Sequence, residues 1–187
     1  CQQLKAFNSK AIDGFSIAVN ISSEQFTEAL VDRLDHLIIE YDLQPQQIGL
    51  EITESVAMKA IDSNLKLLET FRARGHKISV DDFGTGYSSL AYLKRFPLDT
   101  LKIDRAFIQE LAPDTDDFII AKAIIDLGHS LGLKIVAEGV ETQAQLKLLQ
   151  ELGCDLGQGF YFQKASTGEM ISQCYERGLP LGRAQTL

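Results

Sequence analysis

A chain of 187 residues, 45% hydrophobic and 24% charged, has the material for one soluble domain with a sizeable core. Its net charge of -8 argues against a nucleic acid polymer or an anionic membrane as partner, although carboxylates that hold metal ions can still present positive charge to a small phosphate substrate. Cys1, Cys154 and Cys174 are odd in number and far apart, which predicts reduced thiols and a cytoplasmic setting; no signal peptide is visible, and no apolar run approaches the roughly 18 residues of a membrane span.

Cys1 to Lys10 is expected to be a helix with Leu4 and Phe7 on its apolar face, and no strand precedes it. Phe15 to Asn20 alternates like a strand. Ser22 and Gln25 then fit a capping box for a helix carrying Phe26, Leu30, Leu34, Leu37, Ile38 and Tyr41 at helical spacing. A second strand is predicted over Ile48 to Thr53, followed by a helix to about Arg74 that Gly75 closes. The third strand, Lys77-Ile78-Ser79-Val80, ends on Asp81 and Asp82 and turns through Phe83-Gly84-Thr85-Gly86, with Ser88 and Ser89 placed to cap a short helix that Pro97 breaks. Thr100 to Asp104 is the fourth strand, Asp116 to Leu131 a helix ended by Gly132, and Lys134 to Glu138 the fifth strand. Thr142 and Gln145 cap the helix that Gly153 ends, Leu156 to Phe162 is the sixth strand, and a last helix runs from about Thr167 to Arg177. Six strand-then-helix units, each roughly 23 to 34 residues long, predict an α/β chain with a parallel sheet; an open doubly wound sheet and a (β/α)8 barrel both satisfy this pattern.

Side chains alternate between the two faces of a strand. Ile17, Val19 and Ile21 oppose Asn20, Leu50 and Ile52 oppose Glu51, Ile78 and Val80 oppose Asp81, Leu101 and Ile103 oppose Lys102 and Asp104, and Ile135 and Ala137 oppose Glu138. In each strand the bulky face suits a covering helix, and the other face ends in a polar group. A set of polar groups at the carboxyl ends of parallel strands is where such folds keep an active site. Adjacent aspartates repel each other unless a cation neutralises them, and oxygen-only donors suit Mg2+ or Mn2+ rather than zinc. Asp82-Phe83-Gly84 imitates the kinase magnesium motif, but no glycine-rich loop, Val-Ala-Ile-Lys or His-Arg-Asp accompanies it. Structural roles exist for individual members: Lys102 as an ion-pair partner of Asp104, Gln158 satisfying backbone groups, and Glu54 and Glu141 favouring a helix N-terminus. His36, His76 and His129 lack metal-ligand spacing and read as core or surface residues.

Val19-Asn20-Ile21-Ser22, Glu51-Ile52-Thr53-Glu54, Asp81 to Gly86, Leu101-Lys102-Ile103-Asp104-Arg105, Ala137-Glu138-Gly139-Val140-Glu141-Thr142 and Gln158-Gly159-Phe160 together resemble the EAL-domain cyclic di-GMP phosphodiesterases, in that family's order and spacing. The resemblance implies a modified (β/α)8 TIM-type barrel, spanned by residues 1–187 without its N-terminal portion, that hydrolyses cyclic di-GMP to linear pGpG with two Mg2+ or Mn2+ ions. It implies metal ligands at Asn20, Glu51 and Asp81, with Asp81 bridging to a second ion held by Asp82 and Glu138. Lys102 would hold or polarise the attacking water, with Glu138 and Glu141 also in the catalytic set. Asp104 and Gln158 would contact substrate, and Glu54 would anchor the loop after Asp81. A homodimer and a regulatory or sensor domain upstream are further implications, as is a domain without membrane contact of its own, whether or not the parent protein is membrane-anchored.

Two features depart from the family pattern. The Glu-Ala-Leu that names the family is expected at an early strand end, whereas Glu28-Ala29-Leu30 falls inside the predicted amphipathic helix after Asn20 and reads as coincidence. About two strand-helix units are therefore expected to be missing from the N-terminus, because a barrel needs eight and usually takes about 250 residues. On that expectation the chain by itself hydrolyses poorly and tends to associate through open strand edges. Ala165 stands where the family usually has proline, which affects a rim loop. The competing function is a degenerate member that binds cyclic di-GMP as a receptor, or a protein partner, without catalysis.

Overall fold

The computed structural model describes residues 1–8, 15–86, 90–176 and 185–186. It divides into two compact units, Cys1–Val80 with Gly86–Asp99, and Asp81–Thr85 with Thr100–Leu187. The first unit contains α1 (Gln2–Asn8), β1 (Ile17–Asn20), α2 (Glu28–Tyr41), β2 (Ile48–Thr53), α3 (Glu54–Met58), α4 (Ile61–Ala73), the first half of β3 (Ile78–Phe83) and α5 (Leu90–Leu93). The second contains the last half of β3, β4 (Thr100–Ile103), α6 (Ala106–Gln109), α7 (Asp116–Ser130), β5 (Lys134–Glu138), α8 (Gln143–Glu151), β6 (Leu156–Gln158), α9 (Gly168–Glu176) and β7 (Gln185–Thr186).

In the first unit the strand order is β1-β2-β3, with β1 and β2 parallel and Asn20 beside Glu51. Ile48, Leu50 and Ile52 are buried while Gly49, Glu51 and Thr53 are half-buried, the period of two that the alternation predicts. Leu68 and Phe71 of α4 are fully buried, and Phe71 lies 6.1 Å from the Phe26 ring. His76 is buried, with Nδ1 2.9 Å from the Ile48 carbonyl and its ring edge-on to Phe71. Asp99 ties down the start of β3: its carboxylate accepts from the Ile78 N–H at 3.0 Å and from Lys77 at 2.9 Å.

The second unit runs β3-β4-β5-β6-β7, with β4, β5 and β6 parallel and β7 antiparallel to β6. Asp155 repeats the device of Asp99, accepting from the Ile135 N–H at 2.8 Å and meeting His129 at 2.9 Å. Gly128 lets α7 close on β5, since a Cβ there would overlap the Ile135 side chain. Cys154 is buried beneath this sheet, and burial is the main reason its thiol is pushed up to about 11. Among the described residues no helix is long and apolar enough to cross a membrane.

Several predicted elements differ in extent. The Ser22–Gln25 capping box closes a separate turn, with the Gln25 side chain accepting from the Ser22 N–H at 3.1 Å. Extended Thr27 then starts α2 at Glu28, so Glu28-Ala29-Leu30 occupies its first turn rather than its middle. Val19, expected under a covering helix, is 37% exposed on β1, the end strand of its order. The single helix expected up to Arg74 is broken into α3 and α4 by Ala60, whose φ is +52°. The sixth strand stops at Gln158 instead of Phe162, because the chain after Gly159 turns to pair with Val140. α6 and β7 carry no clear sequence signal. Ser88, Ser89 and Arg177 lie outside the described residues.

Candidate metal and catalytic site

The second unit gathers four predicted site residues. Lys102 sits on β4 and is only 4% exposed. Its ammonium lies 3.2 Å from Asp81 Oδ1 and 2.5 Å from Glu138 Oε1, on strands β3 and β5. Asp81 and Glu138 are therefore ion-pair partners of Lys102. Asp81, Asp82 and Glu138 each offer a carboxylate oxygen within 4.8 Å of the others.

Successive residues of a regular strand point to opposite faces, so Asp81 and Asp82 need a distortion to meet. Asp82 provides it with φ +54°, a left-handed conformation that Asp tolerates better than most residues, and its N–H donates to Asp81 Oδ1 at 3.0 Å. Burial, then repulsion from Asp81, then Asp104 push the Asp82 carboxyl above its ordinary value. Three carboxylates around one ammonium leave an excess of negative charge, and hard oxygen donors fit a divalent cation such as Mg2+ or Mn2+.

Asp104, just past β4, accepts from the Ala106 N–H at 2.7 Å, which holds its carboxylate at the start of α6. Gln158 is exposed and stands beside Glu138 in the β5–β6 register. Glu141 is exposed; its backbone N–H donates to Gln145 Oε1 at 2.8 Å. In the first unit, Asn20 ends β1 and is exposed, beside the half-buried Glu51 within β2. Glu54 opens α3 at 2% exposure, its carboxylate so close to Gly86 that a Cβ there would lie 2.7 Å from Oε1.

Sequence reasoning missed the weight of Gln145, read only as a cap. Its Oε1 accepts from the N–H groups of Glu141 and Thr142, and its Nε2 donates to the carbonyls of Ile108 and Gln109 at 2.9 and 3.0 Å. This side chain joins the loop bearing Glu141 to the end of α6. It also missed the close approaches at Gly139 and Gly159, which no sequence period reports.

The EAL domain family model matches residues 1–165. The bifunctional diguanylate cyclase/cyclic di-GMP phosphodiesterase MucR of Pseudomonas aeruginosa is 49% identical over 172 residues, 91% of this chain and 25% of that protein. The solved PaMucR phosphodiesterase in complex with c-di-GMP has a TM-score of 0.87 at 49% identity, over 91% of this chain and 70% of that one. Klebsiella pneumoniae BlrP1 in a manganese/cy-diGMP complex has a TM-score of 0.77 at 30% identity, over 86% of this chain and 41% of that one. The chain spans about a quarter or less of the length of the curated relatives it matches. The shared fold is the TIM-type (β/α)8 barrel class, of which this sequence carries six parallel strands with their helices. With a family match over most of its length, this chain belongs to the EAL domain family.

Proposed function

We propose that this domain hydrolyses cyclic di-GMP to linear pGpG with the help of two divalent ions, Mg2+ or Mn2+. The observation that carries the reading is the buried Lys102 ammonium set between Asp81 and Glu138, with Asp82 completing a group of three carboxylates. The names of proteins to which the chain is similar support the substrate. When bound, the ions would relieve charge on the phosphate and make water a competent nucleophile at neutral pH. Asp81, Asp82 and Glu138 are the proposed ligands in the second unit. Asn20 and Glu51 are proposed ligands from the family likeness.

Hydrolysis adds water across one phosphodiester bond, its oxygen going to phosphorus and a proton to the released ribose oxygen, which opens the ring. Lys102 serves as an ammonium donor to the attacking oxygen or to the phosphate. Its two carboxylate partners hold it in place before substrate arrives, so little reorganisation is needed during reaction. Asp104 and Gln158 are proposed substrate contacts, Glu141 a further member of the catalytic set, and Glu54 the anchor of the loop after Asp81. Self-association as a homodimer, control by an upstream domain and a cytoplasmic setting belong to the same proposal.

The test is to incubate the protein with cyclic di-GMP and Mg2+ or Mn2+, beside bis(p-nitrophenyl) phosphate as a generic diester. Formation of pGpG, with slow turnover of the generic diester, is expected. Tight binding of cyclic di-GMP with no product in either metal contradicts catalysis and favours a receptor. Preference for the generic diester contradicts the substrate.

A further inference from the structure

We infer that Gly139 is a positioning residue for Glu138: it lets the loop after β5 close against Arg105 after β4, fixing the carboxylate that meets Lys102. This rests on the proposed metal-dependent site and adds a residue that touches neither ion nor substrate. Gly139 follows Glu138 directly and has φ +73°, and a Cβ there would lie 2.6 Å from Arg105 Cβ and 3.4 Å from Arg105 Cα. Neither atom is the far end of a flexible side chain. Relief therefore requires the two loops to part by roughly 0.8 Å, from 2.6 Å to ordinary contact at 3.4 Å. A working site tolerates displacements of only about 0.5 Å.

The other flank of the same loop is also locked. Val140 is fully buried; its N–H donates to the Gln158 carbonyl at 3.0 Å, and its carbonyl accepts from the Tyr161 N–H at 2.9 Å. A Cβ at Gly159 would run into the Val140 backbone. Pinned by Val140 and Gly159, the loop cannot retreat freely from Arg105. An intrusion at Gly139 is therefore transmitted to Glu138, whose carboxylate is 2.5 Å from Lys102 and groups with Asp81 and Asp82.

Two other glycines supply an internal control. Gly132 and Gly153 have φ +75° and +76°, nearly the value at Gly139, but a Cβ at either meets nothing within 4 Å. Alanine at all three positions incurs the same left-handed backbone strain. Only at Gly139 does it also force the loops apart.

The experiment measures Mn2+ affinity by electron paramagnetic resonance titration of free Mn2+, and melting temperature in EDTA. It uses wild type, Gly139→Ala, Gly132→Ala, Gly153→Ala and Gly139→Ala/Arg105→Gly. Melting-temperature losses are expected in all three single variants, the largest in Gly139→Ala, where the overlap with Arg105 adds to the shared backbone strain. Mn2+ affinity should fall about 10- to 100-fold in Gly139→Ala, the range for groups that support metal ligands. It should stay within about twofold of wild type in Gly132→Ala and Gly153→Ala, and recover substantially in the double variant, which removes the opposing Cβ. Wild-type affinity in Gly139→Ala, or equal weakening in Gly132→Ala, overturns the inference while leaving the proposed function standing. If Gly139→Ala does not fold, the double variant decides: near-wild-type affinity supports the contact as the cause, and weakened affinity overturns it. A wild-type protein that takes up no Mn2+ overturns the metal site itself, and the inference with it.

Discussion

Replacing Lys102 with methionine removes the ammonium that pairs with both Asp81 and Glu138, at a position 4% exposed. The two carboxylates are themselves only 14% and 18% exposed as side chains, so water cannot fully take the place of the ammonium. Breaking a buried pair from one side costs about 3–5 kcal/mol, because the surviving charge is left uncompensated. For a chain of this size each kcal/mol moves the melting temperature by roughly 2–4 °C, so a loss on the order of 10 °C is expected for Lys102→Met in EDTA. Saturating Mn2+ should recover part of that loss, since it offers the same carboxylates another counter-charge. Lys102→Arg keeps the charge but replaces a compact donor by a wide planar fork, so it should lose less stability and retain weak hydrolysis, with less still in Lys102→Met. Thermal unfolding followed by circular dichroism, with and without Mn2+, checks the first part and product formation the second. Unchanged stability of Lys102→Met in EDTA, or parental hydrolysis by both variants, would refute the reasoning.

Gln145→Ala removes four hydrogen bonds joining the Glu141 loop to α6, worth about 1 kcal/mol each before the exposed groups rehydrate, so a loss of about 2–4 kcal/mol is expected by chemical denaturation; a change below about 0.5 kcal/mol contradicts that role. Burial works to raise the Asp155 carboxyl, but the Ile135 N–H and then His129 outweigh it and hold it below its usual range. Its contribution is therefore fully present above the unfolded value near about 4 and lost as pH falls through the lower folded value. Asp155→Asn should accordingly be less stable than wild type at neutral pH, with the gap closing in acid; a gap that widens as pH falls would contradict the assignment.

The parts of the fold legible in the sequence were those set by local period and punctuation. β2 falls where its alternating apolar residues put it, β5 where a short continuous apolar run does, and Thr142 with Gln145 forms the predicted capping box at the start of α8. Extents failed where tertiary contacts decide them. The early end of β6 follows from Gly159 packing on Val140, a contact between residues 19 positions apart that no local pattern encodes. The break at Ala60 has no glycine or proline to announce it. At the site, Lys102 and Glu138 were readable from strand alternation, and Asp81 from its place beyond an apolar strand. The way Asp82 joins them was not, because a left-handed residue inside a strand violates the alternation on which the reading relied. The burial of Lys102 follows from two carboxylates brought from β3 and β5, sequence-distant partners that only folding assembles.

The most direct measurement of the central claim is hydrolysis of cyclic di-GMP by wild type and by Asp81→Asn in Mn2+, with circular dichroism to establish that both are folded. Asp81 contacts the Lys102 ammonium and contributes to the three-carboxylate group, so the amide removes one negative charge while nearly preserving shape. The account predicts pGpG from the wild type, none above background from Asp81→Asn, and weakened Mn2+ binding in the variant. Product formation at the parental rate by a well-folded Asp81→Asn would contradict a metal-dependent site built on these carboxylates.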